Sequence, residues 1–165
     1  MRNKLSTRDI TEIAMMAAVI EVCKMILASI PNVELTTFLL MMFSILYGYK
    51  VYYVVIIFIL IEGLVYGFGL WWLQYLIVWP LLVFVTLRLK DHSHMDFVIV
   101  SCLFGLLFGL LCSWPYLFIG GIKTAFAWWI QGIPWDLVHG IANAFIMLVL
   151  YKPVFKVIRR KGEMH

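Results

Sequence analysis

Apolar residues run along this chain in long blocks. The blocks are broken at Pro31-Asn32, at Gly48-Tyr49-Lys50, across Gly67 to Gly69, across Arg88 to Asp96, and at Trp114-Pro115. The pattern predicts six membrane-spanning helices over residues 10–30, 35–47, 51–66, 70–87, 97–114 and 134–151. A charged segment, 1–9, precedes them and a basic tail, 152–165, follows. The run 35–47 is short. At ~1.5 Å per residue it does not cross a ~30 Å hydrocarbon core, so its helix extends into polar flanks or the bilayer thins around it. Gly48-Tyr49-Lys50 reads as a tight turn, and Pro80 as a kink in the fourth helix. Residues 116–133 are apolar but carry Gly120-Gly121, Lys123 and Gly132. They read as a structured outer loop or re-entrant segment. Pro134 is then placed to open the sixth helix at its first turn.

Composition makes the membrane reading firm. The chain is 64% hydrophobic and only 13% charged, against roughly half and about a quarter in soluble domains. Its 165 residues suit a single membrane domain, 1–165, with no separate soluble domain. Met1 to Thr11 is polar, and no small-residue cleavage site follows the first apolar run, so no cleavable signal is expected. Cys23, Cys102 and Cys112 lie in apolar runs, form no CxxC, and read as small buried hydrophobes.

Charge sets the expected orientation. Six spans put both termini on one side. Of the thirteen Lys and Arg residues, Arg2, Lys4, Arg8, Lys50, Arg88, Lys90, Lys152, Lys156, Arg159, Arg160 and Lys161 fall on that side. Only Lys123 falls opposite, and Lys24 lies inside a span. The positive-inside rule therefore predicts cytoplasmic N and C termini. This placement accounts for the net charge of +4 without a nucleic-acid partner.

Aromatics show the reverse asymmetry. Trp71, Trp72, Trp114, Trp128, Trp129 and Trp135 map to outer span ends or outer loops, and only Trp79 lies deeper. One reading is an aromatic-walled cavity open to the outside; the other is a lopsided interfacial belt. From Pro134 onward, Asp136, His139 and Asn143 fall at helical spacings of three and four and share one face. Glu34 opens the second span beside Thr36 and Thr37, Glu62 sits late in the third ahead of Tyr66, and Gln74 and Tyr75 lie in the fourth. These polar groups, converging on Trp71, Trp72, Trp128 and Trp135, form the expected substrate site. Carboxylates and indole faces favour a flat cationic or protonatable ligand. Helix capping is the competing role for Glu34 and Asp136.

Glu21 and Lys24, three apart in the first span, read as a structural ion pair, with gating or coupling as the other option. Ala14 and Ala18 make a small-xxx-small pair suited to a docking helix, and Gly105-xxx-Gly109 is a second such pair, read as internal packing. His92-Ser93-His94 reads as solvated histidines in a short loop, with no metal implied. No catalytic motif is present, and no enzyme activity or cofactor is expected.

The layout resembles the substrate-binding S component of energy-coupling factor (ECF) vitamin importers. The resemblance is carried by the six spans, Ala14-xxx-Ala18, the run Pro31-Asn32-Val33-Glu34-Leu35-Thr36-Thr37-Phe38, and the blocks Glu62–Trp72 and Gly132–Gly140. It is most similar to the CblT-type group, linked to dimethylbenzimidazole, the lower base of cobalamin. The resemblance implies a bacterial plasma-membrane protein. It would bind a small aromatic vitamin or precursor from outside, beneath loops 31–34 and 116–133. Ala14 and Ala18 would dock a membrane T component, and two ATPase subunits would drive release inside. Nickel and cobalt S components carry an N-terminal histidine ligand that Met1-Arg2-Asn3 lacks, which argues against a free metal ion as cargo. The competing class is a self-contained secondary transporter or channel, with Glu21, Lys24 and Glu62 as an ion relay.

Overall fold

The computed structural model describes residues 5–162, with side chains described through residue 158. The expectations attached to Arg2, Lys4, the Met1-Arg2-Asn3 terminus and the side chains of Arg159, Arg160 and Lys161 lie outside what is described. The chain is all helical, with no strand among the described residues. In order come α1 (Thr7–Leu27), α2 (Thr36–Tyr47), a 3-10 turn (Gly48–Lys50), α3 (Val51–Tyr66), α4 (Leu70–Arg88), α5 (His94–Leu106), α6 (Phe108–Cys112) and α7 (Trp114–Gly162). Three stretches are long and apolar enough to cross a membrane: Thr36–Tyr66, Leu70–Arg88 and Trp114–Ile158. Together with the composition, this makes the chain a helical membrane protein.

Helix starts follow local chemistry more closely than hydropathy does. α1 begins at Thr7, ahead of the apolar block. Ser6 accepts from the Asp9 amide and Asp9 accepts from the Ser6 amide, which closes a capping box. The same device, Ser93 with Asp96, starts α5 at His94. The Ser93 hydroxyl and amide hold the Asp96 carboxyl below its ordinary range. Gly48, at φ 63°, supplies the left-handed residue that turns α2 into α3.

Ion pairs and close approaches define the packing. Asp9 pairs with Lys50 near the starts of α1 and α3, and Lys24 pairs with Glu62 near their ends. The two helices therefore run parallel. α5 and α7 run antiparallel in close contact: Ser101 Oγ donates to the Asn143 carbonyl, and a Cβ on Gly105 would lie 2.6 Å from the Gly140 nitrogen. Gly105 and Gly109 thus serve internal packing. Ile20, Leu40, Met41, Val54, Phe58, Val78, Leu82, Phe97 and Met147 form the core shared by these layers.

The structure changes the sequence reading at three points. Of the two readings of residues 116–133, a structured loop or a re-entrant segment, the irregular loop is not what forms: they are helical except at Gly120 (φ −143°, ψ 17°) and Gly121 (φ 72°, ψ −171°). Tyr116 stacks on Trp128 at 4.9 Å, so Trp114–Gly120 and the residues after Gly121 form the two arms of a helical hairpin. Helical backbone pairs its own N–H and C=O groups, as chain in an apolar medium must. Pro134 does not open a helix but lies inside one. It removes the bond its missing N–H would make and crowds the carbonyl four residues back, yet the helix continues past it to Gly162. Of the two loop histidines, His92 is exposed as expected, but His94 is part-buried. Its ring stacks on Tyr151 at 4.5 Å, and Nε2 lies 3.1 Å from the Met147 carbonyl.

Candidate ligand-binding site

The polar residues singled out in sequence gather into two clusters joined by aromatic rings. The first lies between the C-terminal ends of α1 and α3 and the N-terminal end of α4. There Lys24, Ala28, Glu62, Tyr66, Trp71 and Tyr75 line a cleft of about 400 Å³. Glu62 is 1% exposed, and its Oε2 receives the Lys24 ammonium. Lys24 pairs with Glu62 and not with Glu21, three residues earlier on its own helix. The ammonium also faces the rings of Tyr66 at 5.1 Å, Tyr75 at 5.7 Å and Phe58 at 5.8 Å. Burying a carboxylate this deeply requires a partner, and the packing of α3 on α1 supplies it.

The second cluster surrounds α7. Asp136, His139 and Asn143 are all buried, while Leu137, Val138, Ile141 and Phe145 on the other faces are exposed. The three polar residues therefore do share one inward face. Their partners differ from those a ligand site needs. Both Asp136 oxygens accept from the Gly109 amide, at 3.0 and 3.2 Å. Leu107, at φ −100° and ψ 2°, breaks the helix between α5 and α6, and the break strands the first amides of α6. Asp136 caps one of them from the neighbouring helix. It is a cap, but not of its own helix, since α7 has no start at that point.

His139 Nε2 lies 3.3 Å from Glu34 Oε1, and Phe108 meets the imidazole edge-on at 5.0 Å. Glu34 also accepts from the Thr37 amide at 2.9 and 3.1 Å. It therefore combines a helix-start cap with a contact to α7. His139 Nδ1, both amide atoms of Asn143 and the Thr37 hydroxyl are buried without a partner.

A run of rings connects the clusters: Trp71 to Tyr75 at 5.3 Å, Tyr75 to Trp79 at 5.4 Å, Trp79 to Phe108 at 5.8 Å, and Phe108 to His139.

Not every expected residue joins. Trp72 donates from Nε1 to the Ile59 carbonyl at 2.9 Å and lines a separate apolar groove with Leu76 and Pro80. Trp128 is occupied by its stack on Tyr116, and Trp135 is 55% exposed. Gln74 is buried but does not line the cleft. Sequence reasoning missed Lys24 as a cleft residue and Phe58 as a buried ring beneath its ammonium. A lysine in mid-span was the available signal, and it was spent on Glu21. The chain matches no family model, no curated protein and no solved structure.

Proposed function

We propose that this chain is the substrate-binding component of an ECF-type importer, taking up a small aromatic vitamin or vitamin precursor such as dimethylbenzimidazole. The observation that carries the reading is the cleft. About 400 Å³ of space, walled by Tyr66, Trp71 and Tyr75 and floored by the ion pair of Lys24 with the buried Glu62, lies in the usual range for small-molecule sites. The parallel run of α1 and α3 and the antiparallel run of α5 and α7 support six alternating spans. The basic residues at the Lys50 end support cytoplasmic termini, with the cleft at the opposite, outer end. Ala14 and Ala18 are exposed on α1, where a T component has access, and two ATPases complete the machine.

The test is a tryptophan-fluorescence titration of the purified chain with dimethylbenzimidazole, pyridoxine, thiamine and a queuosine precursor. One compound quenches saturably. Trp71→Phe abolishes the response, and Trp135→Phe leaves it. Ala14→Trp spares binding and stops uptake in cells. A panel without any response, or quenching that survives Trp71→Phe, rejects the site.

The second reading is a self-contained secondary transporter or channel. It is favoured by three ionisable groups, Glu21, Lys24 and Glu62, at membrane depth. Substrate uptake into liposomes holding this chain alone would establish it in place of the importer.

A further inference from the structure

The charge that the cleft offers to an entering molecule is positive. Glu62 and Lys24 both line it, but unequally. Glu62 is 1% exposed; its Oε2 is covered by the ammonium and its Oε1 is buried. The Lys24 side chain is 28% exposed. An ammonium carries three donors. One goes to Glu62 Oε2, and Lys24 has no second hydrogen-bond acceptor among the described residues. The pair is neutral as a whole, yet an entering molecule meets the ammonium first and the carboxylate behind it. The rest of the lining, Ala28, Tyr66, Trp71 and Tyr75, brings no acid or base that is charged at neutral pH. Glu21, three residues before Lys24 on α1, does not line the cleft. The places for a cation over the rings are also taken. The Lys24 ammonium faces Tyr66 at 5.1 Å and Tyr75 at 5.7 Å, which leaves Trp71 as the remaining ring of the lining.

We infer that the cleft selects a planar aromatic ligand through a hydrogen-bond acceptor, a carboxylate above all, aimed at the Lys24 ammonium, and that it excludes aromatic cations. The inference rests on the cleft being the ligand site. It replaces the flat cation that carboxylates and indoles suggest in sequence, because packing puts the lysine between the carboxylate and the ligand. An anion gains a charge-assisted hydrogen bond from the ammonium. A neutral carbonyl or ring nitrogen gains the same bond more weakly. A cation without an acceptor gains none and faces a like charge. Dimethylbenzimidazole, with one ring nitrogen free to accept, meets the requirement; thiamine, a permanent cation, does not.

The experiment uses the full chain in an uncharged detergent at neutral pH. The probes are benzoate, benzamide and benzamidinium, three molecules of one shape that differ in charge and in acceptors. Ligand-observed NMR titration reads their affinities. Benzoate is expected to bind tightest, benzamide less tightly, and benzamidinium at least about tenfold more weakly than benzoate. Trp71→Ala weakens benzoate binding, which places the probe in the cleft. Lys24→Met combined with Glu62→Leu removes both charges and brings the three probes within about twofold of one another. Lys24→Met alone leaves the carboxylate and turns the order around; if that variant does not fold, the paired variant carries the comparison. Benzamidinium binding as tightly as benzoate, with both weakened by Trp71→Ala, overturns the selection and leaves the ligand site standing. A benzoate preference that survives in the paired variant overturns it too, since Lys24 is then not its source. Probes that do not bind, or that bind wild type and Trp71→Ala alike, count against the cleft itself, and the inference falls with it.

Discussion

Replacing Lys24 by methionine keeps the aliphatic stem that packs against α3 and removes the charge that Glu62 faces. Glu62 is 1% exposed, so water does not take the ammonium's place. Removing one partner of a buried ion pair costs about 3–5 kcal/mol. The Lys24 side chain is 28% exposed, so solvent already shares its charge, and the loss is expected at the low end, about 3 kcal/mol. The three facing rings add about 0.5–1 kcal/mol between them at this partial exposure. Glu62→Leu is milder, about 1 kcal/mol, because the lysine it strands reaches water. The double variant, Lys24→Met with Glu62→Leu, puts two apolar groups in contact and returns to within about 1 kcal/mol of wild type. The expected coupling is thus at least about 3 kcal/mol. Unfolding in mixed micelles with increasing dodecyl sulfate, followed by circular dichroism, reads all four proteins. If Lys24→Met lies within about 0.5 kcal/mol of wild type, or the two changes add, the ammonium does not hold Glu62 in place.

Three further outcomes follow from the packing. Asp136→Leu orphans the buried Gly109 amide and is expected to cost about 1–3 kcal/mol, whereas Asp136→Asn keeps an acceptor and costs less; equal losses would show that Asp136 does not act as the cap. Gly105→Leu places a Cβ 2.6 Å from the Gly140 backbone and must push α5 off α7, a loss of about 3 kcal/mol or more; a wild-type midpoint in the same unfolding assay would contradict the close crossing. The Lys50 ammonium, with the Ser6 amide and hydroxyl, holds the Asp9 carboxyl down at about 2, against an ordinary 3.8. A carboxyl depressed in the fold contributes stability that is present above its ordinary value and is lost as pH falls from there toward 2. Carboxyl NMR should therefore show Asp9 titrating higher in Lys50→Met, but still below its ordinary value because the Ser6 hydrogen bonds remain, and no change would mean that the contact does not persist in solution.

Much of this protein is a local matter and was legible along the chain. The membrane class follows from long apolar blocks. The break at Gly48 follows from a residue that tolerates positive φ. The inward face shared by Asp136, His139 and Asn143 follows from helical spacing alone, and Glu62 stood out because a carboxylate deep in an apolar run demands an explanation. Even the two capping boxes were readable as Ser6-x-x-Asp9 and Ser93-x-x-Asp96, although hydropathy drew the helix starts three residues too late.

The choice of partners was not local. Glu21 and Glu62 offer Lys24 equally good charges, and only the packing of α3 against α1 decides which one it meets. Asp136 resembled the cap of its own helix because Pro134 precedes it. The helix runs through that proline, and the carboxylate serves instead the Gly109 amide, 27 residues away, just past the α5–α6 break. Trp72, Trp128 and Trp135 read alike in sequence, as indoles at span ends. The fold sends one to a backbone carbonyl, one to a stack and one outward, and leaves Trp71 to line the cleft. Spacing along a helix sets which residues share a face. Which face meets which depends on contacts between segments far apart in the chain, and those exist only once the helices have packed.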